Sequence, residues 1–308
     1  MNARAGQDGL EAVVNEVSSV LIGKRHQIQL ALCCLLARGH LLIEDLPGMG
    51  KTTLAHGLAS ALGLTFKRLQ FTSDLLPSDI LGISIYDRES EGFRFHPGPV
   101  FTQLLLADEI NRSTPKTQSA LLEAMAEGQV TIDGVSRDLA PPFFVIATQN
   151  PISQRGTYPL PESQQDRFAM CISLGYPDAE AEKQMLLGAA SKRDAAALRP
   201  CLDAERLLRL QEDATRVHAS EALADYILRL VRFTREGEGA DTGLSPRASL
   251  MLLACARAWA LLEGRDYVIP EDVQRVFPAV AKHRLHPHGE AGKGGALVQR
   301  ALDAVDVV

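Results

Sequence analysis

"HLLIEDLPGMGKTTLAHGLA", residues 40–59, decides the reading of this 308-residue chain. "HLLIE" is a short apolar run of strand length, and "TTLAHGLASALG" has helical spacing up to Gly63. The glycine-rich loop "DLPGMGK" lies between them. Strand, glycine loop and helix in this order make a phosphate site, because the N–H groups of the loop and helix start converge on an anion. Gly48 and Gly50 allow close approach of the backbone. Lys51 is placed to set a positive charge between β- and γ-phosphates, and Thr52 to offer its hydroxyl to Mg²⁺. Pro47, Met49 and Thr53 complete the candidate nucleotide contacts. The pattern G-x-x-x-x-G-K-[ST] asks for a first glycine where this chain has Asp45. Aspartate tolerates left-handed backbone, so the loop is expected to form with Asp45 in the glycine's conformation and its carboxylate turned from the phosphates.

A second element supports the first. "LLLADEIN" is an apolar run ending in Asp108 and Glu109. An aspartate at the end of a buried strand can hold Mg²⁺ through its water shell, and Glu109, on the opposite side of the extended chain, can orient an attacking water. Guanine-reading P-loop proteins usually carry N-K-x-D. No asparagine here precedes a lysine, so ATP is expected.

The length favours two domains. Other strand candidates are "PFFVIATQN" and "FAMCISLGYP". Two hairpins are expected, in "ISIYDRESEGFRFH" and around Asp133-Gly134 in "QVTIDGVSRDL". Strands alternating with helices predict a parallel sheet covered on both faces. An N-terminal helical pair precedes it, the second helix ending with Gly39 as C-cap. "TPKTQSALLEAMAEG" reads as a helix with Thr114 as N-cap, Pro115 at N1 and Gly128 past its end. From about Asp178 the strand signals stop. Amphipathic helices then follow, among them "SPRASLMLLACARAWALLEG" with Ser245 as N-cap. The expected division is 1–177 for an α/β domain and 178–308 for a helical one.

The net charge of -6 argues against a broadly basic nucleic-acid binder. No apolar run has the length of a membrane span, and the start lacks the layout of a signal peptide. Five cysteines without a C-x-x-C pair fit a reducing cytoplasm, with Cys33, Cys34 and Cys255 expected to be buried thiols. His283, His286 and His288 cluster without a matching donor set and are read as surface residues. The basic stripe Arg229, Arg232 and Arg235 is read as a solvated face or a contact with an acidic neighbour.

Together, "LLIEDLPGMGKTTLA", "GPVFTQLLLADEINRSTPKTQSALLEAM", "VIATQNP", "GTYPLPESQQDRF" and "LSPRASLMLLACARAWALLEGRDYVIPEDV" resemble the MoxR family of AAA+ ATPases. The resemblance runs from about Val13 to His283. It implies an α/β fold, an AAA+ P-loop αβα sandwich with a parallel sheet, followed by an all-helical lid. Acidic residues at the first P-loop position occur in that family. Asn150 matches the sensor-1 position beside the γ-phosphate. Arg167 in "ESQQDRF" matches the arginine finger that enters a neighbour's site, and Arg247 in "SPRA" matches sensor 2, which reads nucleotide in its own subunit. Considered without the family, Arg167 could pair with Glu162 or Asp166, and Arg247 could be a solvated first-turn residue. The hairpins match the helix-2 insert (Gly82 to Pro97) and the pre-sensor-1 insert (Gly128 to Pro141), where Phe93 and Phe95 are candidate client contacts. The implied activity is Mg²⁺-dependent ATP hydrolysis by a ring, expected as a hexamer, that remodels partner proteins, including ones with von Willebrand factor A-type domains. The alternatives are a nucleotide-gated scaffold and a P-loop kinase acting on a small molecule.

Overall fold

The computed structural model describes residues 3–89, 91–150, 156–188, 194–236, 243–285 and 294–307. Helices α1 (Ala3–Ser18) and α2 (Arg25–Leu36) open the chain. The expected C-cap departs from glycine chemistry: Arg38 takes the left-handed conformation, at φ 56°. Gly39 is needed for a different reason, since a Cβ there would lie 2.2 Å from the Cβ of Ala169. The apolar run after it becomes β1 (Leu41–Glu44), and the glycine loop leads into α3 (Lys51–Ala61).

β2 (Phe66–Gln70) and the short α4 (Pro77–Leu81) precede the first hairpin, β3 (Gly82–Asp87) with β4 (Gly92–Pro97). β5 (Leu104–Asp108) is buried throughout. α5 (Pro115–Glu127) starts on its expected cap, with the Thr117 N–H donating to Thr114 Oγ1, and ends at left-handed Gly128. In the second hairpin, β6 (Gln129–Ile132) turns into β7 (Val135–Asp138) through Asp133 and Gly134, both at positive φ as a type I′ turn requires. β8 (Phe144–Gln149), α6 (Glu162–Gln165) and β9 (Met170–Ile172) follow. The longer elements that follow among the described residues are helices: α7 (Ala179–Leu186), α8 (Ala204–Arg216), α9 (Glu221–Glu236), α10 (Pro246–Leu262), α11 (Pro270–Ala281) and α12 (Gly294–Ala304).

Five strands form one sheet in the order β2-β5-β8-β1-β9, every pairing parallel. Side chains alternate between its faces. Leu41, Ile43, Leu104, Leu106 and Ile146 join a core with α1–α3 and the C-terminal helices. Leu42, Leu105, Ala107, Val145 and Cys171 join a second core with α5 and Phe168. Parallel strands place all their C-terminal ends on one edge, so the residues after β1, β5, β8 and β9 meet there. The N-terminal ends, with His40 and Ala169, form the opposite edge, where the Ala169 N–H donates to the His40 carbonyl. The expected parallel αβα sandwich and the helices after it are thus both present.

Candidate nucleotide site

The loop between β1 and α3 has its left-handed turns at Gly48 (φ 83°) and Gly50 (φ 92°). A Cβ on Gly50 would meet Leu21 Cδ1 at 2.6 Å, whereas one on Gly48 would meet nothing within 4 Å. The loop is therefore packed behind Gly50 and open above Gly48. Asp45 departs from expectation: its φ is not positive, unlike that of Arg38, Glu91, Glu109 and Asp133. The two glycines supply the turns, which leaves position 45 free to use a side chain. Its carboxylate does point away from the loop interior. Oδ1 accepts from the Leu46 N–H at 2.9 Å, and Oδ2 from Ser173 Oγ at 3.1 Å and the Gly175 N–H at 2.7 Å. Burial pushes its pKa up, but these hydrogen bonds outweigh burial and hold it below the usual carboxylate value.

Lys51 Nζ donates to the Asp45 carbonyl at 2.7 Å. Burial pulls the Lys51 pKa down, against the opposing pull of Asp45, Asp108 and Glu109. A cavity of about 450 Å³ opens over the loop, lined by Gly48, Lys51, Thr52, Arg68, Asp108 and Glu109 among others. Beside it lies a cavity of about 200 Å³ with an apolar wall that includes Val20, Leu21, Met49, Pro177 and Met185. Lys24 anchors that wall by donating to the Tyr176 carbonyl at 2.6 Å. This second cavity leaves no signature in the sequence, because its walls come from segments far apart in the chain.

Asp108 ends β5. Its Oδ1 accepts from Thr148 Oγ1 at 2.6 Å, and Oδ2 accepts from Arg68 Nη2 at 2.6 Å and Nε at 3.2 Å. Glu109 lies beyond the strand and not in extended chain: it is left-handed, at φ 55°, before the 3-10 turn Ile110–Arg112. A non-glycine residue in that region costs about 1–3 kcal/mol, strain of a kind that gathers at functional sites. The turn brings both carboxylates to one cavity. Glu109 Oε2 accepts from Gln70 Nε2 and Arg112 Nη1, each at 2.9 Å, and its N–H donates to Thr148 Oγ1 at 2.8 Å. Arg68, Gln70 and Thr148 are site residues that sequence reasoning missed. Thr148 had a signal, since alternation along the run puts it on the same side of the chain as position 150 two residues on. Asn150 directly follows β8, between the strands that end in Asp108 and in the P-loop.

The donor set fits a magnesium nucleotide. Among the described residues no three His, Cys, Asp or Glu side chains gather as a cage. Mg²⁺ commonly takes one or two protein oxygens plus phosphate and water, and Thr52 and Asp108 could supply that number.

The two arginines lie elsewhere. Arg167 sits between α6 and β9 near the far edge of the sheet, and its Nη1 donates to the Leu122 carbonyl at 2.7 Å. Asp166 pairs with Arg284. Arg247 is exposed in the first turn of α10, whose cap Ser245 reaches Asp166 Oδ2 at 3.4 Å. Its charge is felt at His40, before β1. Burial chiefly, opposed by a bond with the Met125 carbonyl and aided by Arg247, brings the His40 pKa down to about 4. Arg247 is thus grouped with Arg167 and is not among the residues that line the cavity over the P-loop.

The remaining candidates resolve simply. Cys33, Cys34 and Cys255 are buried and free, and burial pushes their thiols up. His286 and His288 lie outside the described residues; His283 is buried, with Nε2 at 3.2 Å from the Phe168 carbonyl. Arg229 and Arg235 donate to main-chain carbonyls of Asp306, Val307 and Leu244. No helix among the described residues is long and apolar enough to cross a membrane.

Residues 40–170 match the model of the ATPase family associated with various cellular activities (AAA), and residues 232–301 that of the AAA lid domain. The chain is 46% identical to the uncharacterised protein YeaC of Bacillus subtilis, over 97% of this chain and 94% of that one. It is 45% identical to the chaperone MoxR1 of Mycobacterium tuberculosis, over 90% and 75% of the two chains, and 35% to MoxR of Paracoccus denitrificans, over 96% and 93%. A crystal structure of a candidate ATPase from Cytophaga hutchinsonii superposes with a TM-score of 0.90 at 38% identity, covering 99% of this chain and 96% of that one. With the P-loop, the strand-end carboxylates, the five-stranded parallel sheet and the helical lid in place, the chain belongs to the MoxR family of AAA+ ATPases.

Proposed function

We propose that the protein hydrolyses ATP with Mg²⁺ in a ring of its own copies, a hexamer in the cytoplasm, and uses the energy to remodel partner proteins. The observation that carries this reading is a separation. Lys51, Thr52, Asp108 and Glu109 line one cavity, whereas Arg167 and Arg247 lie towards the opposite edge of the sheet. The four residues of β1 alone put about 13 Å between those edges. Side chains so divided complete one site only if neighbours share it.

In the proposed chemistry, N–H groups from Pro47 to Thr53 cradle the phosphates, and the adjoining apolar cavity takes the adenine. Lys51 neutralises charge between the β- and γ-phosphates. Thr52 and Asp108 hold Mg²⁺, which, when bound, offsets phosphate charge. Glu109, kept in place by Gln70 and Arg112, orients the attacking water, with Asn150 beside it. Arg167 of one subunit stabilises charge on the γ-phosphate in the next, and Arg247 serves that same neighbouring site. The nucleotide domain spans residues 1–177 and the lid 178–308. Remodelling is the role that the chaperone name of the mycobacterial relative supports, and a von Willebrand factor A-type partner is what the family resemblance implies.

The test mixes two inactive variants and measures phosphate release. Lys51→Ala has no working site but still offers Arg167; Arg167→Ala keeps its P-loop but offers no finger. Each alone should lose about 10³-fold or more, as removal of such fingers does. Activity recovered on mixing supports the shared site. Two variants that assemble together and stay inactive would refute it.

A further inference from the structure

Arg167 stands on a short irregular stretch between α6 and β9, and such a stretch does not hold a guanidinium still by itself. Its Nη1 donates to the Leu122 carbonyl, and the group that holds the backbone on either side of it comes from the other end of the chain. Arg284 closes the 3-10 turn Lys282–Arg284 after α11 and is buried. An arginine has five N–H donors, and here each has an acceptor. Nε donates to Asp166 Oδ1 at 2.7 Å. One terminal nitrogen donates to the carbonyls of Asp166 at 3.2 Å and Phe168 at 2.6 Å. The other donates to the carbonyls of Ala169, at 3.2 Å, and Val280. The acceptors therefore lie on both sides of Arg167. His283 adds its Nε2 at 3.2 Å from the Phe168 carbonyl. The second oxygen of Asp166 faces Ser245 Oγ at 3.4 Å, two residues from Arg247.

A buried ion pair is weak evidence of stability, because apolar packing often does as well. It is better evidence of geometry, since a planar fork satisfies this set of acceptors in one position only. We propose that Arg284, with Asp166, is a positioning residue for Arg167: the lid sets where the finger stands. Each site in the ring then depends on the lid of the subunit that lends the finger, a lid that also carries Arg247. This rests on the reading of Arg167 as a finger acting in trans.

The test extends the mixing experiment with Arg284→Lys, which keeps the charge but not the fork. In one mixture the substitution is added to the finger donor, Lys51→Ala; in the other it is added to the acceptor, Arg167→Ala. Phosphate release is followed against ATP concentration, with assembly of each mixture checked by size. A finger displaced by about 1 Å can cost up to 10²-fold, so kcat should fall at least about tenfold in the donor mixture. Half-saturation by ATP should stay within about twofold, because the acceptor's own loop is intact. In the acceptor mixture both parameters should remain near those of the unmodified pair. Asp166→Asn in the donor, which keeps shape and removes charge, should reproduce the donor effect. Equal losses in both mixtures, or no loss in either, overturn the proposal. An inactive unmodified pair sinks the trans reading of Arg167 itself, and the inference falls with it.

Discussion

At the scale of one residue, Asp45 shows how a departure from a motif can carry a task. Its carboxylate ties the P-loop to Ser173 and Gly175, the segment that leads from β9 to the lid. Asp45→Gly would restore the P-loop pattern and remove those bonds. Hydrogen bonds to a charged group are worth about 1.5–3 kcal/mol, so urea unfolding should show a loss of at least about 1 kcal/mol despite the better motif match. An unchanged midpoint would mean that water replaces the tether. His40 sets a pH dependence of definite sign. Its Nδ1 accepts from the Val145 N–H at 3.0 Å, and Nε2 faces the Met125 carbonyl at 3.1 Å, so the buried ring is neutral. Its pKa is about 4 folded and about 6.5 unfolded. The unfolded chain takes the proton first, so this contribution is present above pH 6.5 and is lost as pH falls towards 4. Between pH 7 and pH 5 it should reduce stability by about 2 kcal/mol. His40→Gln offers a donor and an acceptor without titrating, and should flatten that part of the profile.

At the scale of elements, burial decided what could be read in advance. β1, β5 and β8 are apolar because helices cover both faces of the sheet, and their sequences showed it. β2, "FKRLQ", did not read as a strand. It is the sheet edge, paired only with β5, so its exposed positions tolerate Lys67, Arg68 and Gln70. Missing β2 meant missing Arg68 and Gln70, whose nearness to Asp108 and Glu109 follows from the Gln70–Asp108 register. The hairpin β6–β7 was legible because Asp133-Gly134 has local turn chemistry. What local chemistry could not show is that the hairpins touch: Arg137 of β7 lies over the Phe95 ring of β4 at 4.0 Å. Phe93, by contrast, is 78% exposed and meets Tyr86 edge-on. A cation–π contact at a half-exposed site is worth about 0.5–1 kcal/mol. Arg137→Ala should therefore leave the melting temperature nearly unchanged but speed amide exchange across β3 and β4. Equal exchange in the two proteins would show that each hairpin holds its own position.

At the scale of the molecule, the core runs across the boundary that composition suggests near residue 177. α1 and α2 precede the sheet in sequence, yet Leu32, Cys33 and Leu36 share a core with Leu252, Cys255 and Trp259 of α10. Gln211 of α8 donates to the Leu35 carbonyl at 2.7 Å, and Cys33 Sγ to the Cys255 carbonyl at 3.2 Å. The sheet and the lid therefore do not have separate interiors. Chains of this size often unfold domain by domain, and coincident transitions by different probes are the sign that they do not. Trp259, the one tryptophan in the sequence, sits at this junction with its ring edge-on to His26, at 5.8 Å between centroids. Its fluorescence reports the junction, whereas far-ultraviolet circular dichroism reports every helix and strand. In urea the two signals should give the same midpoint, and a fragment of residues 1–177, with one face of α2 uncovered, should not unfold cooperatively. A fluorescence transition well before the dichroism would mean that the lid separates first and that the sheet domain is stable without it. The coupling of nucleotide to lid would then run through the Asp45 tether and the Arg284 clamp, and not through a shared core.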